Sequence, residues 1–292
     1  MTTSSASGAA ELAHRIDELS ATPANVPLPR EAEEVVAALL HDLEKGTCRA
    51  AERDAEGRWR AVPWVKRGIL LGFRAGAMVD MTTYVEGAPA RFHFFDKHTY
   101  PTRELAVADG VRIVPGGSSI RRGAYVAAGV VCMPPMYINV GAYVDAGTMV
   151  DSHALVGSCA QIGKRVHLSA GAQIGGVLEP VSAAPVVVED DVLVGGNCGV
   201  YEGTVVRERA VLAAGVILTR GTPVFDLVRE QVYRADAAGP LVIPPGAVVV
   251  PGARAIRSGW GERERLALQT PVIVKYRDEQ TDLSTTLESW LR

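Results

Sequence analysis

Ten positions spaced six apart run unbroken from Ile120 to Ile174, and nine of them carry a β-branched residue or leucine, Cys132 being the exception. The frame resumes at Val188, Val194, Val200, Val206, Leu212 and Leu218, and again at Ile243 and Val249, so seventeen of eighteen hexads are aliphatic in phase. A strand of about five residues can point one such side chain inward and then turn a corner, where left-handed backbone favours glycine. Three faces close a triangular coil of eighteen residues, and coils stack by parallel strand pairing. Four residues beyond each aliphatic comes a mostly small residue, as at Ala124, Ala142, Ala154 and Ala172, and glycine often sits between, as at Gly123, Gly129, Gly141, Gly147 and Gly171. Residues 120–222 hold no Phe or Trp and only Tyr125, Tyr137, Tyr143 and Tyr201, as a narrow interior requires. The expected fold is mainly β, a left-handed parallel β-helix of about six coils, an exception to the right-handed crossover rule.

Two interruptions divide this array. Residues 175–187 and 223–242 exceed what a prism can hold, so both are expected as projecting loops, where binding is concentrated in repeat proteins. Residues 1–110 read as a small mixed α/β domain: Arg30–Lys45 has helical apolar spacing stopped by Gly46, and RWRAVPWVKRGILLGFR combines a strand with an amphipathic helix. The prism is expected over 111–256, and 257–292 should supply a strand (Ala267–Tyr276) and a short closing helix (TDLSTTLESWLR). Acidic residues outnumber basic ones 33 to 30, and the formal charge of −3 without a basic run argues against nucleic acid or an anionic membrane as partner. The four cysteines have no CxxC spacing and are too few for a disulfide scaffold. The N-terminus lacks an apolar signal core and no segment approaches eighteen uninterrupted apolar residues, so a soluble cytoplasmic protein is expected.

The polar residues on the coils carry a more specific message. GAYVDAGTMVD (141–151), VGSCAQIGK (156–164), IGGVLEP (174–180), VRIVPG (111–116) and TPVFD (222–226) are long strings, and through them the chain resembles the tetrahydrodipicolinate N-succinyltransferases of the diaminopimelate route to lysine. The resemblance implies a homotrimer with active sites in clefts between neighbouring prisms and the pantetheine arm along the coils. The co-substrate implied is succinyl-CoA, with acetyl-CoA as the alternative and no permanently bound cofactor or metal. The substrate amine attacks the thioester carbonyl. The family's substrate-binding and proposed catalytic aspartate falls on Asp151, and its carboxylate-binding arginine on Arg112. Both suit the chemistry: Asp151 follows Val150 where a side chain points outward, a carboxylate can take the proton of an attacking ammonium, and guanidinium is a planar fork for a carboxylate.

The sequence departs from this family at one point. A second proposed catalytic acid, a glutamate in the coil before the VxEG segment, falls here on Gly199 in GGNCGVYEGTVV. In this stretch the chain drifts towards tetrahydrodipicolinate N-acetyltransferases, which also lack an acid there. A second carboxylate is then expected from Glu202 or Asp145, or Asp151 acts with water; Glu202 is the favoured candidate. His153 (at a corner) and His167 (outward) are the rival general bases, because other hexapeptide acyltransferases use histidine. Cys159 sits at a corner, and direct amine attack needs no covalent intermediate. A zinc hydratase on the same prism would need three converging histidines, and His153 and His167 stand fourteen apart without a third on the coils. A scaffold without catalysis would explain neither the projecting loops nor the outward Asp151.

Overall fold

The structure is a computed structural model that describes residues 3–84, 91–236 and 239–278. The expected closing helix at 281–292 lies outside the described residues. Each hexad places two residues in strand conformation, the second inward, and successive coils pair eighteen residues apart, as Tyr137 with Leu155 and Leu155 with Gln173, except where an insertion lengthens the coil, as between Gln173 and Gly199. Three parallel ladders result. The first face carries Arg112, Val131, Met149, His167, Leu193 and Val211 outward; the second, Ser119, Tyr137, Leu155, Gln173, Gly199 and Ile217; the third, Tyr125, Tyr143, Gln161, Val187, Val205 and Val242. Inside, the hexad aliphatics and the small residues four places on form one continuous core, with Ile138, Val156, Ile162 and Leu168 fully buried.

The corners show why glycine recurs. At most corners the third residue after the inward aliphatic adopts positive φ, at Gly123, Gly129, Gly141, Gly147 and Gly171, and equally at His153, Cys159, Arg165, Asp191, Asn197 and Arg209. A residue with a Cβ is strained there by roughly 1 kcal/mol, so the corner geometry belongs to the coil and overrides local preference.

The N-terminal domain has three helices, α1 (Thr3–Ser20), α2 (Glu31–Lys45) and α3 (Pro63–Ala75), and a hairpin of β1 (Ala51–Arg53) and β2 (Trp59–Ala61). Helix α2 ends at Gly46, whose φ of 70° closes its last turn. Ile16, Leu39, Leu40 and Ile69 form a second core that runs into the prism through Val140 and Cys159. The domain clamps the third face: the Arg49 guanidinium lies 3.6 Å over the Tyr143 ring and its Nε donates to Gln161 Oε1 at 2.9 Å. Beside it the buried Glu189 carboxylate accepts from Arg53 (2.8 Å), Trp59 Nε1 (2.8 Å), Arg207 (3.1 Å) and the backbone N–H of Glu208 (3.2 Å).

Both insertions leave the same edge of the prism, between the second and third faces. One spans 175–186, between strands Gln173–Ile174 and Val187–Val188; the other spans 219–241, between Ile217–Leu218 and Val242–Ile243. The longer one is not a bare loop. Its strand Val224–Asp226 pairs in parallel with Ala267–Tyr276, which is antiparallel to the last coil strand, Ala247–Ala255. The first face is thereby extended to ten strands.

Candidate active site

The corner after Val150 carries Asp151 and His153. The Asp151 side chain is 30% exposed, its Oδ1 accepts from the backbone N–H of Ser152 at 2.7 Å, and its Oδ2 lies 3.8 Å from His167 Nε2 on the next coil. His153 is exposed, with φ of 61°, and its backbone N–H donates to Pro135 O at 2.6 Å. The structure thus gathers Asp151, His153 and His167 at the edge between the first and second faces. Arg112 is exposed on the first face, paired to Val131, which pairs to Met149. Two strand spacings, roughly 10 Å, separate the backbones of Arg112 and Met149.

Glu202 lies elsewhere. It occupies the corner between the second and third faces, with φ of 55°, and its Oε2 accepts from the backbone N–H of Arg220 at 2.7 Å. A full face, up to about 20 Å of chain, separates that edge from Asp151's. Asp145 is on the third edge, between the third and first faces, in the groove with Arg49, Gln161 and Lys164. No single protomer therefore brings Arg112, Asp151 and Glu202 around one small molecule.

The edge that holds Glu202 has the right shape for a ligand. The two insertions flank it, and between them lies a cleft of about 590 Å³, walled by Gly175–Val177, Glu179, Pro180 and Ala183 on one side and Thr219 and Arg220 on the other, with Tyr201 and Glu202 between. Sequence reasoning passed over Tyr201, although it stands directly after an inward aliphatic as Asp151 does; its being one of only four tyrosines on the coils was the available signal. Cys159 is fully buried against the N-terminal domain, and burial pushes its thiol up to about 12, with the Lys66 ammonium only partly opposing this. Such a thiol is packing, not a nucleophile. Among the described residues no group of three His, Cys, Asp or Glu side chains is placed to hold a metal, and no helix is long and apolar enough to cross a membrane.

A left-handed hexad prism with a ligand-sized cleft between insertions on one edge and an outward acid on another defines a hexapeptide-repeat acyltransferase. A model of the tetrahydrodipicolinate N-succinyltransferase N-terminal domain matches residues 11–75, and one of the hexapeptide repeat of succinyl-transferase matches 185–220. A 2,3,4,5-tetrahydropyridine-2,6-dicarboxylate N-succinyltransferase of Bradyrhizobium diazoefficiens is 41% identical over 268 residues, 90% of each chain. One from Leptothrix cholodnii is 42% identical over 269 residues, 90% of this chain and 91% of that one. In fold, the chain is similar to a crystal structure described as a tetrahydropyridine-carboxylate N-succinyltransferase of Campylobacter jejuni, with a TM-score of 0.52 at 17% identity; the match covers 87% of this chain and 64% of that one. The chain belongs to the tetrahydrodipicolinate N-succinyltransferase family.

Proposed function

We propose that the protein transfers the succinyl group of succinyl-CoA to the amine of tetrahydrodipicolinate, in the cytoplasm, as a homotrimer. The observation that carries this reading is the division of the site between two edges of the prism, in a chain with relatives of that name over nine-tenths of its length. Asp151 at one edge and the Tyr201–Glu202 cleft at another can serve one substrate when prisms stand side by side. The cleft takes the acyl-CoA, Arg112 grips a substrate carboxylate through its fork, and Asp151 accepts the proton that the neutral amine sheds as it bonds to the thioester carbon. Tetrahydrodipicolinate is a cyclic imine, so water adds across its C=N bond and opens the ring to an amino keto diacid. That amine nitrogen bonds to the thioester carbon, the carbon–sulfur bond breaks, and CoA leaves as thiolate.

Acetyl transfer is the second reading, favoured by the absence of a carboxylate at Gly199. Thiol release with tetrahydrodipicolinate, comparing succinyl-CoA and acetyl-CoA, tests both. A higher kcat/KM with succinyl-CoA is expected; a preference for acetyl-CoA would establish the alternative, and no release with either donor would remove both.

A further inference from the structure

Gly199 is in a β-strand, in register with Gln173 and Ile217, and it is not among the glycines with positive φ. Its backbone conformation therefore does not call for glycine, and glycine inside a strand weakens it unless something must approach closely. What approaches is the ring of Tyr201. A Cβ on Gly199 would come within 2.9 Å of both Cζ and Oη of that ring and nearer still to Cε2, and a Cβ on Gly175, one coil below, would lie 2.8 Å from Cδ1. Gly175 too lies outside the positive-φ set. The ring thus rests across two adjacent coils that are both stripped of side chains beneath it.

Tyr201 is also held from behind. Its backbone N–H donates to Leu218 O at 3.0 Å, and its carbonyl accepts from the N–H (3.2 Å) and the hydroxyl (2.7 Å) of Thr204. Among the described corners of the prism, this is the only one where a residue with a side chain, Glu202 at 55°, and its successor, Gly203 at 74°, both have positive φ. The ring lines the cleft, and its hydroxyl has no hydrogen-bond partner among the described residues.

We infer that Tyr201 is a catalytic residue: its hydroxyl donates a hydrogen bond to the thioester oxygen as the amine attacks. This rests on the acyl transfer proposed above and assigns the cleft its polar floor. As the nitrogen–carbon bond forms, the carbonyl π pair moves onto oxygen. That oxyanion then re-forms the carbonyl and expels CoA thiolate, while the ammonium proton passes to Asp151. Tyr201 keeps its own proton throughout. A phenol can donate here, whereas an ionised carboxylate only accepts, and a donor already aimed at the developing charge acts on turnover more than on binding.

The test is Tyr201→Phe, which keeps the ring over both glycines and removes only the hydroxyl. Steady-state thiol release and thermal melting are measured on the same preparation. The expected result is a kcat lowered by about 10² with both KM values and Tm nearly unchanged, in the range seen on removing one oxyanion donor. A wild-type protein that turns over beside a Tyr201→Phe variant with undiminished kcat would overturn the role of Tyr201 and leave the acyl transfer standing. A variant that loses Tm along with activity would make the hydroxyl structural and overturn it equally. A wild-type protein that releases no thiol from either donor would remove the acyl transfer itself and, with it, this inference.

Discussion

Asp151 and His167 present two candidate bases within 3.8 Å, and they do different things to a neutral incoming amine. The Asp151 carboxylate has an Oδ1 already engaged by Ser152 N–H and an Oδ2 that faces His167 Nε2 without hydrogen-bond contact. His167 is mostly covered, 17% exposed, on the first face, whereas Asp151 stands at the corner where a ligand between prisms would lie. Asp151→Asn keeps the size and the Ser152 contact while removing the basic oxygen, so kcat should fall by about 10² with Tm unchanged. Near-full activity in Asp151→Asn, together with its loss in His167→Ala or His153→Ala, would transfer the role to histidine. At this scale the sequence was partly legible. An outward carboxylate after Val150 follows from the hexad frame alone. At Gly199 the sequence shows a missing acid but not what stands in its place, because the ring that lies over the position comes from two residues along the chain. Rebuilding Gly199→Glu would drive its Cβ into that ring, so it is no simple restoration.

Elements in this fold are so short that their stability comes from what ties one to another, and TPVFD shows how. Asp226, buried on the longer insertion, accepts from Tyr276 Oη at 2.6 Å and from the backbone N–H groups of Val228 (2.9 Å) and Arg229 (3.0 Å). The carboxylate both caps the turn that follows it and fastens the insertion to the C-terminal strand. Burial pushes the carboxyl up, but these three donors and the nearby Arg229 charge outweigh it and hold the group below its ordinary 3.8. A depressed pKa contributes stability that is complete above the unfolded value and drains away as pH falls through the folded one. Asp226→Asn should therefore lower stability by about 1–3 kcal/mol near neutral pH, and the gap from wild type should close as pH drops below 3.8. Thermal melts of both proteins across that range check it; a gap independent of pH would show that ionisation of Asp226 contributes nothing. The hexads and corners were legible because one spacing repeats. The internal structure of this insertion and helix α1 were not, since their partners lie far away in sequence: Phe225 pairs with Val272, and Ile16 of α1 packs beneath Leu39 and Gly68.

The whole molecule poses a question of geometry that a single prism does not answer. Its third face is occupied by the N-terminal domain, held by Arg49 on Tyr143 and by the buried Glu189, so the first and second faces are the ones left to meet another prism. Asp151 stands at the edge these two share, and the cleft opens at the far edge of the second face. A closed ring of three would bring the acid edge of each prism against the cleft edge of the next, and every site would draw on two subunits. Two inactive variants can then repair one another. Asp151→Asn keeps a working cleft, while Thr219→Trp fills the cleft wall and keeps Asp151. Mixed at random in equal amounts, mixed trimers each contain one intact junction of three, so about a quarter of all sites recover. Co-expression of the two variants, purification through a tag on one, and thiol release should show activity well above that of either variant alone. Activity no higher than the sum of the two would mean that Asp151 and the cleft serve their site within one chain, and the two-edge arrangement would have to be abandoned.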